Sequence, residues 1–372
     1  MFKIAIDLGY RYVKAITESG QSMLFPSLVG SPYNRQLKGL YGEEDTSNDK
    51  FHIRLLNDLG GTEEYFIGDL ARESRSVSVA FDTDKIDHQN TRILMASTAA
   101  LLNPEQKQNI HLITGLPLQY YSQQKERFKK YLTDFGAYVE FPLLNRKTEV
   151  KFSKVTVFPQ AAGAVYEAVA KHQEFLRKKG SLVALIDIGY KTTDFVVFEV
   201  GAGFHLREDL SGTVEIGGAY IHREVQGKFQ ELTGLALDNI ELDNLVFNKS
   251  IYFGGKDYDF ENTITSAQRF IAQAVIDRLK TAWGQKLDFI RTVFLAGGGV
   301  LDLSEMFEGF HPGLKLLEDP QMANAKGFLR VGELVQKKER SFRKEEPQEQ
   351  EEQEEREESK VTDISKKRII FG

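Results

Sequence analysis

Two stretches of the chain carry the same order of apolar and polar positions. Leu182 to Val200 reads LVALIDIGYKTTDFVVFEV. An apolar run from Leu182 to Ile188 delivers Asp187 into a Gly189-Tyr190-Lys191 turn, Thr192, Thr193 and Asp194 follow, and a second apolar run fills Phe195 to Val200. β-Branched and aromatic residues on both sides of the turn predict a buried strand–turn–strand. A hairpin made only for packing has no use for two carboxylates and further polar groups at its tip. The start of the chain repeats the pattern, from Phe2 through Asp7, Leu8, Gly9, Tyr10 and Arg11 to Lys14, Ala15 and Ile16. Two such hairpins predict two related halves facing one another across a cleft.

Between and after them, periodicity predicts alternating strands and helices. Strands are expected at Ser22 to Leu24, Phe51 to Leu56, Glu64 to Ile67, Ile110 to Thr114, Glu149 to Phe158, Phe204 to Leu210 and Ile290 to Ala296. Helical spacing covers Arg92 to Leu102, Tyr121 to Phe135, Ala161 to Leu176, Ala219 to Thr233 and Ser266 to Trp283, the last with Phe270, Ile271, Ala274, Val275, Leu279 and Ala282 as its apolar face. Pro32 to Lys50 reads as a mobile loop, Gly212 to Gly218 as a Gly-rich turn, and Pro320 to Val331 as a turn that becomes a helix. The alternation argues for an α/β fold.

Composition narrows the class. The 372 residues suggest two to three domains, and 41 % hydrophobic content suffices for real cores. The absence of cysteine excludes disulfides and thiolate metal sites. Neither a signal-peptide pattern nor a membrane-length apolar run is visible, and a net charge of −6 argues against a generic nucleic-acid surface. A cytoplasmic protein that contacts neither membrane nor nucleic acid directly is the expectation. Glu345 to Glu358 holds nine Glu against one Arg, so the rest of the chain is slightly positive. Residues 336–372 lack the apolar content to offset ordering entropy and read as a charged tail, disordered or an isolated exposed helix, with Ile369 to Phe371 as a short apolar end.

The candidate chemistry lies at strand ends. Neither G-x-x-x-x-G-K-[ST] nor a strand followed by G-x-G-x-x-G is present, which leaves little support for P-loop or Rossmann readings. An Asp beside a Gly turn can hold Mg²⁺ through water while turn N–H groups wrap phosphate oxygens, and Lys14 and Lys191 could neutralise phosphate charge. A single Asp-x-Gly turn is common in ordinary hairpins; two with one longer signature are not. Gln160, after Pro159, could orient a water for attack on a phosphate or could be a helix cap or surface residue. Gly297 to Gly299 could admit a nucleoside close to the main chain or form an ordinary tight loop. No His/Asp/Glu spacing suggests zinc, and no Ser sits in a nucleophile elbow.

Together these elements resemble the actin/sugar-kinase/heat-shock ATPase superfamily. Ile6-Asp7-Leu8-Gly9-Tyr10 to Lys14 and Ile186 to Asp194 look like its two phosphate motifs. Phe158 to Ala164 and Ala323 to Gly327 look like its connecting motifs, and Leu295 to Gly299 like its adenosine motif. Phe25-Pro26-Ser27, Tyr65 to Ala71 and Thr114 to Pro117 are similar to segments of the bacterial and archaeal actin-like proteins of the ParM/StbA plasmid-segregation type. The resemblance implies an actin-like (ribonuclease H-like) fold, with two domains that each carry a mixed five-stranded sheet flanked by helices and a nucleotide cleft between them. Domain I would comprise residues 1–160 plus about 320–335, with a smaller subdomain at 22–85, and domain II residues 161–319. It further implies slow ATP or GTP hydrolysis with Mg²⁺, head-to-tail filaments, and a DNA-binding adaptor as partner. Carried over by position, Asp7 and Asp187 would hold hydrated Mg²⁺, with Asp187 also near the attacking water that Gln160 positions. Lys14 would contact phosphate, and Gly9, Tyr10, Arg11 and Gly189, Tyr190, Lys191, Thr192 would form the phosphate loops. Gly217, Gly218, Gly297, Gly298 and Gly299 would flank the nucleoside. Tyr10, Arg11 and Lys191 depart from the small residues usual in these loops. A small-molecule kinase or a non-polymerising ATPase scaffold on the same fold is the alternative.

Overall fold

The computed structural model describes residues 1–33, 47–56, 61–74, 76–79, 86, 88–171, 179–201 and 203–337. Most of the loop expected at Pro32 to Lys50, the end of the helix expected to reach Leu176, and the charged tail beyond residue 337 lie outside the described residues. The chain forms two compact units, Met1–Leu329 and Arg330–Gly372. Of the second, residues 330–337 are described, and they are helical.

The first unit contains two large sheets. One opens with a meander of β1 (Phe2–Leu8), β2 (Tyr12–Thr17) and β3 (Ser22–Pro26). Then come β4 (Leu28–Gly30), β5 (His52–Leu56), β6 (Thr62–Ile67), β7 (Val77–Val79), β8 (Ile110–Leu116), β9 (Gly136–Phe141) and β10 (Arg146–Pro159). The strand order is β3-β2-β1-β8-β10-β9-β5-β6-β4-β7, with β8 parallel to both β1 and β10. Every residue of β1 is buried because its two faces meet different cores. Ile4, Ile6 and Leu8 enter one, and Ala5 meets Ile113 and Phe328 in the other.

The second sheet repeats the meander with β11 (Leu182–Ile188), β12 (Thr193–Val200) and β13 (Phe204–Leu206). It adds β14 (Gly212–Val214), which pairs with β12. A separate hairpin, β15 (Ser250–Phe253) and β16 (Lys256–Asp259), precedes β17 (Ile290–Ala296) and β18 (Leu314–Leu316). The order β13-β12-β11-β17-β18 matches β3-β2-β1-β8-β10 strand for strand. Helices Gln89–Leu101, Leu118–Thr133, Ala162–Lys171, Ala219–Thr233 and Glu261–Trp283 cover these sheets. This is the actin-like α/β fold, with a five-stranded unit in each half.

The first sheet exceeds five strands because β10 changes partners. Arg146 to Lys151 pair antiparallel with β9, and after a register shift near Phe152 to Lys154 the strand runs parallel to β8. Three expectations differ from the structure. The strand expected over Phe204 to Leu210 stops at Leu206, because Ser211 ties Val197 N–H and Arg207 C=O together and turns the chain through Glu208–Leu210. Part of the turn expected at Gly212 to Gly218 is β14. Phe270 is 53 % exposed and stacks on Tyr220 at 4.7 Å, because the inward stripe runs through Ile264, Ala267, Ile271, Val275 and Leu279.

Candidate functional site

The two meanders place their tips in one cleft through the same turn. Asp7 opposes Lys14 in the β1–β2 register, and Gly9 N–H donates to Tyr12 C=O at 3.0 Å. Asp187 opposes Asp194 in the β11–β12 register, and Gly189 N–H donates to Thr192 C=O at 2.9 Å. A Cβ at Gly9 would lie 2.7 Å from Tyr12 C=O and one at Gly189 would lie 2.9 Å from Thr192 C=O, so both turns are closed to larger residues. Ser27 steadies the first turn, donating its hydroxyl to Gly9 C=O at 2.7 Å and its N–H to Arg11 C=O at 2.9 Å. In the second turn, Asp194 accepts a hydrogen bond from Thr213.

Both strand-end carboxylates are buried and held by amides. Asp7, 1 % exposed, accepts Lys14 Nζ at 3.1 Å on Oδ2 and Gln160 Nε2 at 2.7 Å on Oδ1. With its amide nitrogen committed to Asp7, Gln160 has its Oε1 to accept a hydrogen bond from a water. Asp187 accepts Asn324 Nδ2 at 2.7 Å. Burial pushes the Asp187 carboxyl above the ordinary carboxylate range; Asn324 and Lys14 pull it back down, and Asp7 adds to the rise.

Glycines form the cleft's other walls. The N–H groups of Gly218 and Ala219 donate to Gly189 and Tyr190 C=O, and a Cβ on Gly217 would lie 2.5 Å from Gly189 C=O. The second tip therefore sits directly on the start of helix Ala219–Thr233. Gly297 has φ +90, and a Cβ there would strike Asp187 Oδ1 at 2.3 Å. Gly299 N–H donates to Ile188 C=O at 2.8 Å.

The resulting cleft, about 540 Å³, is lined by Asp7, Gly9, Tyr10, Arg11, Lys14, Gln160, Asp187, Gly189, Tyr190, Thr192, Gly218, Gly297, Gly298 and Gly299 among others. Lys191 and Gly217 are absent from its lining: Gly217 supports the tip from behind, and Lys191 reaches across to the opposite loop. Lys191 Nζ stands 4.5 Å from the centre of the Tyr10 ring, while the Arg11 guanidinium stands 5.2 Å from that of Tyr190. Each loop's basic residue thus lies on the other loop's tyrosine.

Arg11 is also engaged away from the turn amides, with His222 Nε2 at 3.0 Å and Asp243 Oδ1 at 3.2 Å. Arg72 reaches Asp243 at 3.5 Å. Burial works to raise the Asp243 carboxyl, but its bond to His222 and the nearby Arg11, His222 and Arg72 charges outweigh that and hold it below the ordinary range. His222 and Asp243 went unread in sequence. Asp243 lies on helix Asn239–Asn248, whose start is marked by an Asp238/Glu241 capping box that could have disclosed the helix.

Among the described residues no group of three or more His, Cys, Asp or Glu could cage a metal. Two carboxylates in a cleft lined with turn amides do suit Mg²⁺, which keeps much of its water and binds through one or two carboxylates plus substrate phosphates. No helix of the described residues is long and apolar enough to cross a membrane.

Comparison with known proteins agrees with this geometry. The model of the N-terminal domain of actin-like proteins matches residues 5–163, and that of the C-terminal domain of the archaeal actin homologue MreB-like matches residues 185–309. No curated protein matches the sequence. Among solved structures, a 15-stranded ParM filament from Clostridium botulinum is 29 % identical, with a TM-score of 0.84 over 90 % of this chain and 99 % of that one. A non-polymerisable quadruple mutant of pCBH ParM is also 29 % identical, with a TM-score of 0.82 over the same 90 % and 99 % shares. An archaeal actin homolog in complex with ADP, 19 % identical over 90 % of this chain and 99 % of its own, shares the fold with a TM-score of 0.71. Matched in order through both halves by actin-family models, the chain is an actin-like protein similar to the ParM structures.

Proposed function

We propose that this chain is a filament-forming nucleotide hydrolase that binds Mg-ATP or Mg-GTP between its halves and uses hydrolysis to time filament turnover, in the service of DNA segregation through a DNA-binding adaptor. The observation that carries the reading is the pair of buried carboxylates, Asp7 and Asp187, at the tips of two equivalent hairpins, with Gln160 hydrogen-bonded to Asp7. With Gly9 and Gly189 N–H closing the turns, the N–H groups of Tyr10 and Arg11 and of Tyr190 and Lys191 would wrap phosphate oxygens, with Lys14 adding positive charge. Asp7 and Asp187 would hold Mg²⁺ through its water shell, and the ion would supply charge neutralisation on the phosphates. Gln160 Oε1 orients the attacking water, and the Asp187 carboxylate, made more basic by burial, draws on its proton. Positioning and charge neutralisation carry catalysis of this kind, without a covalent intermediate. Gly297 to Gly299 and Gly218 leave room for the nucleoside. The ParM filament among its relatives supports self-association.

Pelleting with light scattering, run beside a phosphate-release assay after addition of Mg-ATP or Mg-GTP, tests the proposal. Nucleotide-dependent pelleting with phosphate release is expected. Transfer of phosphate to a small hydroxyl compound without pelleting would instead indicate a kinase, and hydrolysis without assembly a scaffold ATPase.

A further inference from the structure

Asn324 lies at the start of the helix that begins at residue 323 and is 7 % exposed. Its one amide has two partners on different elements. Nδ2 donates to Asp187 Oδ2 at 2.7 Å, and Oδ1 accepts the N–H of Ala161 at 2.9 Å. Ala161 immediately follows Gln160 and has φ +61, a left-handed conformation that a residue with a Cβ seldom adopts. It persists because its surroundings fix it. Gln160 N–H donates to Leu116 C=O at 2.8 Å, Ala162 N–H donates to Gln160 C=O at 2.6 Å, and Asn324 takes the N–H between them.

We propose that Asn324 is a positioning residue that joins Asp187 to the Gln160 turn, so that one water meets both side chains in a single arrangement. The inference rests on the hydrolytic reading of the site given above. A side-chain amide can donate at one end and accept at the other over this span. Aspartate would keep the Ala161 bond but turn an acceptor toward the Asp187 carboxylate. Alanine would leave both ends open, and leucine would fill the space without either bond. Asn324 is linked in this way to both catalytic groups while lying outside the lineup of loops that bind phosphate.

The test measures phosphate release, the affinity for a fluorescent nucleotide and thermal stability in the full chain. Asn324→Asp and Asn324→Ala are expected to lower kcat about 10–100-fold, the usual effect of losing a supporting hydrogen bond around a site, with nucleotide Kd within about threefold. Combining Asn324→Ala with Gln160→Ala should cost less than the two single losses multiplied, because the part of the Asn324 effect that runs through the Gln160 turn is already gone.

An Ala161→Gly change in the Asn324→Ala background separates support of the fold from positioning. Glycine adopts φ +61 without help, so the double variant should fold and bind nucleotide yet remain slow. Recovery of kcat there would overturn the inference, as would fully additive losses or an unchanged kcat in Asn324→Asp. A wild-type chain that binds no nucleotide would overturn the proposed function and this inference together. An active wild type with unaffected variants would overturn this inference alone.

Discussion

An Asp187→Asn variant is expected to bind nucleotide and assemble, yet release phosphate about 10²–10⁴-fold more slowly than the wild type. Asparagine keeps the size of the side chain, and its carbonyl oxygen can still accept Asn324 Nδ2, which the wild-type carboxylate holds at 2.7 Å. What disappears is the negative charge and the capacity to take a proton. Asp187→Ala is the harsher variant, because it also strands the Asn324 donor in a buried place at a cost of about 1–3 kcal/mol. Reading phosphate release beside pelleting separates chemistry from assembly: pelleting should persist, because in the proposed function hydrolysis acts on filament turnover and not on assembly. Undiminished release would sink the role assigned to Asp187.

The second large effect is structural. Gly327→Ala is expected to lower the melting temperature by about 3 °C. A Cβ on Gly327 would lie 1.9 Å from Gly163 C=O and 2.9 Å from the Ala164 nitrogen, main-chain atoms that cannot swing aside. Alanine gains about 1 kcal/mol of helix propensity over glycine, but overpacking a close backbone contact costs about 3 kcal/mol. The contact wins, so a change that ordinarily stabilises a helix destabilises here. Because Asn324 stands one turn earlier on the same helix, phosphate release should fall as well. A thermal melt followed by circular dichroism decides the matter; an unchanged midpoint would mean the two segments separate without cost.

Much of the site was legible because its signal is local. Asp7 and Asp187 stand at the ends of apolar runs with Gly turns next to them, and a buried strand that ends in a carboxylate is visible as a string of letters. Helix Ala219–Thr233 and strand Ile290–Ala296 were readable for the same reason, each bounded by its own glycine. The rest depends on partners far along the chain. Arg11 and Lys191 look like phosphate ligands from their neighbours in sequence, yet their side chains lie on the tyrosines of the opposite loop. Asn324 sits in the second connecting motif, Ala323 to Gly327, but nothing local says that its amide faces Asp187. Asp243 looks like an ordinary surface acid on a short amphipathic helix until Arg11 and Arg72 arrive from the other half. The strand β10 likewise shows its alternation but not its change of partner.

The crossed tyrosine contacts also bear on the order of folding. Tyr10 with Lys191, and Arg11 with Tyr190, join residues about half the chain apart, whereas each meander closes between near neighbours. Long-range closure is slow because its loop entropy must be met before the contact contributes. We therefore expect the two sheets to form first and the tips to meet last. The protein's one tryptophan, Trp283, is buried against Phe195 and donates to Leu210 C=O, so its fluorescence follows the second sheet's core and not the tips. In a denaturant titration, a donor–acceptor pair spanning the tips should separate before Trp283 responds. Coincident transitions would mean that the crossing and the core come apart together.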